Sequence, residues 1–154
     1  ERLPGATLRC AGNDVDEDND ELTSWRRELG LEGSVELCGT ISDVRSELRA
    51  ADALVFSSST EALPMAGIEA LSEGLPVVTT DAGDAGLLAV DEHLLCPPRD
   101  PRALAERLLW LLERSPQQRE QLRRQAWQLC GERFGIERTV ARYRSIYRDL
   151  IGVA

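Results

Sequence analysis

Over roughly its first hundred residues the chain alternates short apolar runs with segments of helical period, which leaves few folds open. Residues 6–11, 34–38, 53–56, 76–80 and 94–96 read as strands. Between them, residues 20–29 (closed by Gly30), 43–50 and 64–72 (ended by Gly74) read as helices. Strands separated by helices of about ten residues form βαβ units, giving a parallel sheet with helices on both faces. The last third is helical. Asp100 is placed to cap a helix that opens on Pro101 and carries Leu104, Leu108, Leu111 and Leu112 along one face. Ser115, Pro116 and Gln118 have the spacing of a capping box for a second helix, whose end Gly131 and Gly135 bracket. A third helix carries Val140, Tyr143, Tyr147 and Leu150 at helical spacing. The expected fold is α/β: a Rossmann-like, doubly wound parallel sheet with a helical C-terminal tail.

Size and charge narrow the partners. With 154 residues the chain has the size of one ordinary domain. A net charge of −9 argues against a nucleic-acid surface, because phosphate backbones are met by basic stripes. No apolar run approaches the roughly 18 residues that cross a bilayer. All 18 basic residues are Arg, so chemistry that needs a Lys must draw it from elsewhere. Cys10, Cys38, Cys96 and Cys130 lack the close spacing of a zinc or redox motif. The first three fall in apolar runs, where Cys behaves as a small buried hydrophobe, and a reducing, cytoplasmic location is expected.

Open parallel sheets bind ligands beyond the carboxyl ends of their strands, close to helix N-termini. After the run ending at Phe56 comes a polar loop, Ser57 to Leu63, and then Pro64, read as the first helical position. The free amides that follow, with the positive end of the helix dipole, suit a phosphate. Glu61 in the loop and Glu69 in the helix border the same crevice; ionised carboxylates there accept hydrogen bonds from hydroxyl groups. A ligand carrying both phosphates and hydroxyls, such as a nucleotide sugar, suits this mixture. The plainer reading also stands: a helical Glu is ordinarily solvated, and one near the N-terminus favours the dipole. Met65, Ile68, Leu71 and Ala66 would then define the buried stripe, with Glu69 at its edge.

The stretch from Glu61 to Val78 resembles the signature of retaining GT-B glycosyltransferases of the group 1 type. It has two Glu with seven residues between them, then Ala70 and a turn Gly74-Leu75-Pro76-Val77-Val78. Val35 to Gly39, Ala51 to Ser58, Pro97 to Asp100 and the tail from Glu132 to Tyr147 agree in order. The resemblance implies the C-terminal half of such an enzyme, across residues 1–154 and lacking its first strand and helix. That half binds a nucleoside-diphosphate sugar. Glu69 would accept hydrogen bonds from the ribose, and Glu61, the catalytic carboxylate, would face the transferred sugar. Backbone amides from Leu63 through Pro64 and Met65 to Ala66 would border its hydroxyls or phosphates (Pro64 itself has none to give). Gly39, Ile41 and Asp43 would flank the base. No metal or other cofactor is implied. The acceptor would be held by an N-terminal domain outside this sequence, through which any peripheral membrane contact would run. An Arg and Lys pair neutralises the leaving diphosphate in the family, and without any Lys here it is expected upstream. Ala62 and Leu63 stand where Gly and Phe are common, and no clear Glu follows the turn Asp81 to Gly86.

The acidic stretch Asp14 to Glu21 contains Asp-x-Asp pairs and begins like a calcium loop, but Asn19 and Trp25 occupy the glycine and bidentate-Glu positions of that template. His93 stands beside Asp91 and Glu92 as a surface residue, and Trp25, Trp110 and Trp127 lie in helices as packing or docking residues. From another class, a non-catalytic nucleotide-binding or protein-interaction module of Rossmann-like fold would share the architecture.

Overall fold

The structure, a computed structural model, describes residues 5–152. It divides into two compact units, residues 1–44 and 45–154. The first unit is a βαβ motif. Strands β1 (Leu8–Cys10) and β2 (Val35–Leu37) pair in parallel, with Leu8 opposite Val35, Arg9 opposite Glu36 and Cys10 opposite Leu37. Helix α1 (Asp20–Glu28) connects them. Its N-cap is Asn19, whose side-chain oxygen accepts from the Leu22 amide; Asp20 and Glu21 sit in the first turn, Arg26 and Arg27 in the last. Cap and charges all favour the helix dipole.

The acidic stretch ahead of α1 is spent on the loop itself. Asp16 accepts from the Asp18 amide at 3.1 Å, the Asn19 side chain donates to the Asp14 carbonyl at 2.7 Å, and Glu17 grips Arg26 through both oxygens at 2.7 and 2.6 Å. Among the described residues no group of three or more His, Cys, Asp or Glu side chains is arranged to hold a metal ion.

The second unit is built on a three-stranded parallel sheet in the order β3 (Leu54–Phe56), β4 (Val77–Thr80), β5 (Leu95–Cys96). Around it lie α2 (Val44–Ala50, its first residue in the first unit), α3 (Met65–Ser72), α4 (Pro101–Leu112), α5 (Pro116–Phe134) and α6 (Ile136–Ile151). All four residues of β4 are at most 2% exposed, the mark of a parallel strand covered on both faces. Successive side chains of a strand point to opposite faces. Val77 accordingly joins a cluster with Leu48 of α2, Ala70 and Leu71 of α3 and Ala126 of α5, while Val78 joins Leu94, Leu111 of α4 and Leu122 of α5.

Several boundaries differ from the sequence reading. Residue 94 is not in a strand: Asp91 caps a short 3-10 turn, Glu92–Leu94, by accepting from the His93 amide, and β5 begins at Leu95. Helix α5 ends at Phe134, between Gly131 and Gly135 as expected; it runs through Gly131 while Cys130 and Phe134 on either side pack against the core. That burial outweighs the roughly 1 kcal/mol a helical glycine costs. The Asp100 cap and the Ser115/Gln118 capping box are both formed. In α6 the stripe from Val140 to Leu150 is present but exposed, and no residue of that helix is buried. Cys10 and Cys38 are half-buried rather than buried, whereas Cys96 is buried; burial pushes the Cys96 thiol up.

Helix α3 ends on a carboxylate that ties it to α2. Glu73, its C-cap, accepts from Arg45 and from Arg49, the latter at 2.6 Å, and its side chain is only 8% exposed. Those hydrogen bonds, Arg45 first and then Arg49, hold the Glu73 carboxyl below the usual Glu range. A depressed folded-state pKa contributes stability that is present above the unfolded-state value, about 4.3, and is lost as pH falls through the folded-state value. Urea unfolding of the wild type and Glu73→Gln across pH should therefore show the wild type more stable at neutral pH, with the gap closing below about pH 4. A gap that persists unchanged in acid would mean that the charge is not what ties the helices.

Candidate functional site

The site grows from the carboxyl end of β3. There the chain leaves the sheet into the loop of residues 57–64, which is pinned from the neighbouring strand. Thr80, the last residue of β4 and 2% exposed, donates its hydroxyl to the Ser58 carbonyl at 2.6 Å. Ser58 in turn donates its hydroxyl to the Glu61 carboxylate at 2.8 Å. The turn after β4 closes on the same loop, the Asp84 amide donating to the Ala62 carbonyl at 2.9 Å. Gly83 makes this approach feasible. It has φ of +56°, and a Cβ there would stand 1.8 Å from the Glu61 carbonyl oxygen. The half-buried Glu61 is thus fixed through its backbone and its side chain at once.

Leu63 anchors the end of the loop in the core, and Pro64 follows as N-cap of α3 with φ −69° and ψ 118°. This corrects the sequence reading, which put Pro64 at the first helical position. Its extended ψ places it one residue outside, so the helix opens on Met65. Pro64 supplies no side-chain acceptor, and its carbonyl accepts from Gly67. Met65 and Ala66 are the first two helical residues, whose amides have no acceptor within the helix, and both residues are exposed. The first turn has no acidic residue, so no side-chain charge there offsets the positive end of the dipole.

The buried stripe of α3 is also only partly the expected one. Met65 is 65% exposed, Ala66 is exposed, and the inward face is Gly67, Ala70 and Leu71 with half-buried Ile68. Gly67 sets this rotation: a Cβ there would lie 2.3 Å from Leu88 and 3.1 Å from Phe56, so only glycine lets the helix seat this close. Glu69 consequently lies fully on the outward face, one turn after Met65 and Ala66.

The structure thus brings Glu61, Leu63, Pro64, Met65, Ala66 and Glu69 into one loop-and-helix segment of the second unit. Gly39, Ile41 and Asp43 belong to the first unit. Gly39 is buried with φ of +63°; its amide donates to the Val15 carbonyl at 2.7 Å and its carbonyl accepts from Gly12 at 2.9 Å. Ile41 is half-buried, and Asp43 is exposed just before α2. Elsewhere, His93 stacks on Trp110 at 4.7 Å with Arg114 over the same ring, while Trp25 and Trp127 are exposed. Ser58, Thr80 and Gly83 were not singled out from sequence. Ser58, three residues before Glu61, has a spacing at which short polar side chains commonly bond within loops, and could have been noticed. Thr80 acts across 22 positions and through a carbonyl, which leaves no local trace.

The arrangement offers backbone donors for an anion next to carboxylate acceptors for hydroxyl groups, and known proteins carry the same architecture. Residues 1–114 match the family model described as glycosyl transferases group 1. The lipopolysaccharide core biosynthesis glycosyltransferase LpsE of Rhizobium meliloti is 39% identical over 79 residues, covering 51% of this chain and 23% of that protein. Sucrose-phosphate synthase from Thermosynechococcus elongatus superposes with a TM-score of 0.82 at 23% identity, over 99% of this chain and 40% of that one. Anabaena HepE, solved in complex with UDP-glucose, superposes with a TM-score of 0.78 at 25% identity, over 98% of this chain and 42% of its own. The chain belongs to the group 1 glycosyltransferase family and matches the C-terminal domain of these GT-B enzymes. It spans less than half the length of each of these relatives.

Gly83→Ala tests the geometry of the loop. It adds both a strained φ and a backbone clash, and is expected to cost about 1–3 kcal/mol of stability. In thermal unfolding it should lower the midpoint by several degrees, whereas Gly33→Ala, with nothing near its Cβ, should change it little. Equal midpoints for the two variants would contradict the close approach.

Proposed function

We propose that this chain is the donor-binding half of a retaining GT-B glycosyltransferase, which binds a nucleoside-diphosphate sugar for transfer to an acceptor held by an N-terminal domain. The observation that carries the reading is the opening of α3. Two uncapped amides stand there between a carboxylate fixed in the loop and a second one on the exposed helix face. The Met65 and Ala66 amides meet phosphate or sugar oxygens, with the helix dipole behind them. Glu69 accepts hydrogen bonds from the ribose hydroxyls. Glu61 faces the transferred sugar; Ser58 occupies one of its oxygens, leaving the other for a sugar hydroxyl.

The relatives support the substrate class, since HepE is solved with UDP-glucose. The chemistry proposed is independent of metal: backbone donors and a cationic clamp stabilise the leaving diphosphate. With all 18 basic residues Arg, the lysine of that clamp comes from outside this chain. The chain alone therefore lacks transferase activity, because acceptor positioning and leaving-group stabilisation are supplied elsewhere. Four free thiols fit a reducing, cytoplasmic setting.

Charge-assisted hydrogen bonds to the ribose are worth about 1.5–3 kcal/mol each. Calorimetry on the enzyme carrying this domain, using UDP, GDP and ADP, should show that Glu69→Gln weakens the bound nucleoside diphosphate by roughly ten-fold or more. Unchanged affinity in a folded Glu69→Gln protein would remove the ribose assignment. A module that only packs against a partner would bind none of the three.

A further inference from the structure

We infer that Ser58 and Thr80 are positioning residues, a two-step hydroxyl relay that holds the Glu61 carboxylate toward the sugar of the donor. The inference rests on the proposed donor-site reading. The sheet, not the loop, sets the geometry. Thr80 ends the most buried strand of the second unit, its side chain nearly sealed from solvent, and its hydroxyl donates to the Ser58 carbonyl at 2.6 Å. That bond fixes the backbone of Ser58. Its own hydroxyl then donates to Glu61 Oε1 at 2.8 Å.

A hydroxyl that donates to a carboxylate restricts its rotation. Ser58 thus fixes Glu61 through Oε1 and leaves Oε2 for a hydroxyl of the ligand. The Glu69 carboxylate, by contrast, has no hydrogen bond among the described residues. The two carboxylates therefore differ in preparation. Glu61 is set before the donor arrives, while Glu69 remains adjustable on the helix surface. Two further backbone contacts, Gly83 against the Glu61 carbonyl and Asp84 to the Ala62 carbonyl, leave the side-chain relay as the part of the system that orients the carboxylate itself.

The relay makes Thr80 act only through Ser58, so the two should be non-additive. Ser58→Ala, Thr80→Val (same shape, no hydroxyl) and the double variant are to be compared in the enzyme carrying this domain. Calorimetry would use nucleoside diphosphates (UDP, GDP, ADP) against their glucose conjugates. Ser58→Ala should weaken the sugar-bearing donor about ten-fold relative to the bare diphosphate, an effect of about 1.4 kcal/mol, while leaving the latter unchanged. Thr80→Val should do the same to a smaller degree, and the double variant should match Ser58→Ala alone. Ser58→Thr and Thr80→Ser should restore the wild-type ratio. A wild-type ratio in Ser58→Ala, additive losses, or equal weakening of both ligand forms would overturn the relay. Glu61→Gln serves as the reference. If it also leaves the ratio unchanged, the placement of Glu61 at the sugar has failed, and the donor-site reading with it. If Glu61→Gln shifts the ratio and Ser58→Ala does not, the relay alone has failed.

Discussion

Complete burial of β4 is the constraint on which the second unit depends. A strand with both faces covered must bury every side chain and be paired on both edges, and Val77 to Thr80 do both between β3 and β5. Its alternating side chains divide the core into two clusters, one under α2 and α3, the other under α4, with α5 contributing to both. The last two residues of the strand are threonines, and the Thr79 hydroxyl donates to the Thr80 carbonyl at 3.1 Å. A buried hydroxyl must find a partner, and Thr80 finds it in the first loop of the site. The need to satisfy one polar atom in the core thereby becomes a means of fixing a loop at the surface.

Two glycines carry the same logic outward. Gly67 allows α3 to lie against Phe56 and Leu88, which turns Glu69 to the outside. Gly83 allows the turn after β4 to touch the backbone of Glu61. Neither glycine reaches a ligand, yet each decides where a carboxylate stands. The proposed donor site is then a helix N-terminus left without a side-chain cap, with one carboxylate in the loop before it and one on the helix after it.

Much of this was legible from residues alone. Alternating runs and helical periods implied the parallel α/β fold, and the Asp100 and Ser115 signals located two helix starts because a cap is a local interaction. The Glu61 to Val78 stretch pointed to the family that the comparisons establish. What escaped was non-local. The buried face of α3 depends on a contact of Gly67 with residues of other elements, so the expected stripe of Met65, Ile68, Leu71 and Ala66 holds at Leu71 and in part at Ile68 but fails at Met65 and Ala66, which are exposed. Pro64 was displaced by one position, since proline has much the same φ as N-cap and as first helical residue and only ψ separates them.

The central claim is that the β3–α3 loop and the first turn of α3 form the donor site. It is tested most directly by titrating the ¹⁵N-labelled chain with UDP, GDP and ADP and following backbone amide shifts, a method sensitive to weak binding. The account predicts saturable shifts for at least one nucleotide, concentrated at the Met65 and Ala66 amides and extending to Glu69. No shifts with any of the three, or shifts confined to other surfaces such as the exposed stripe of α6, would contradict it.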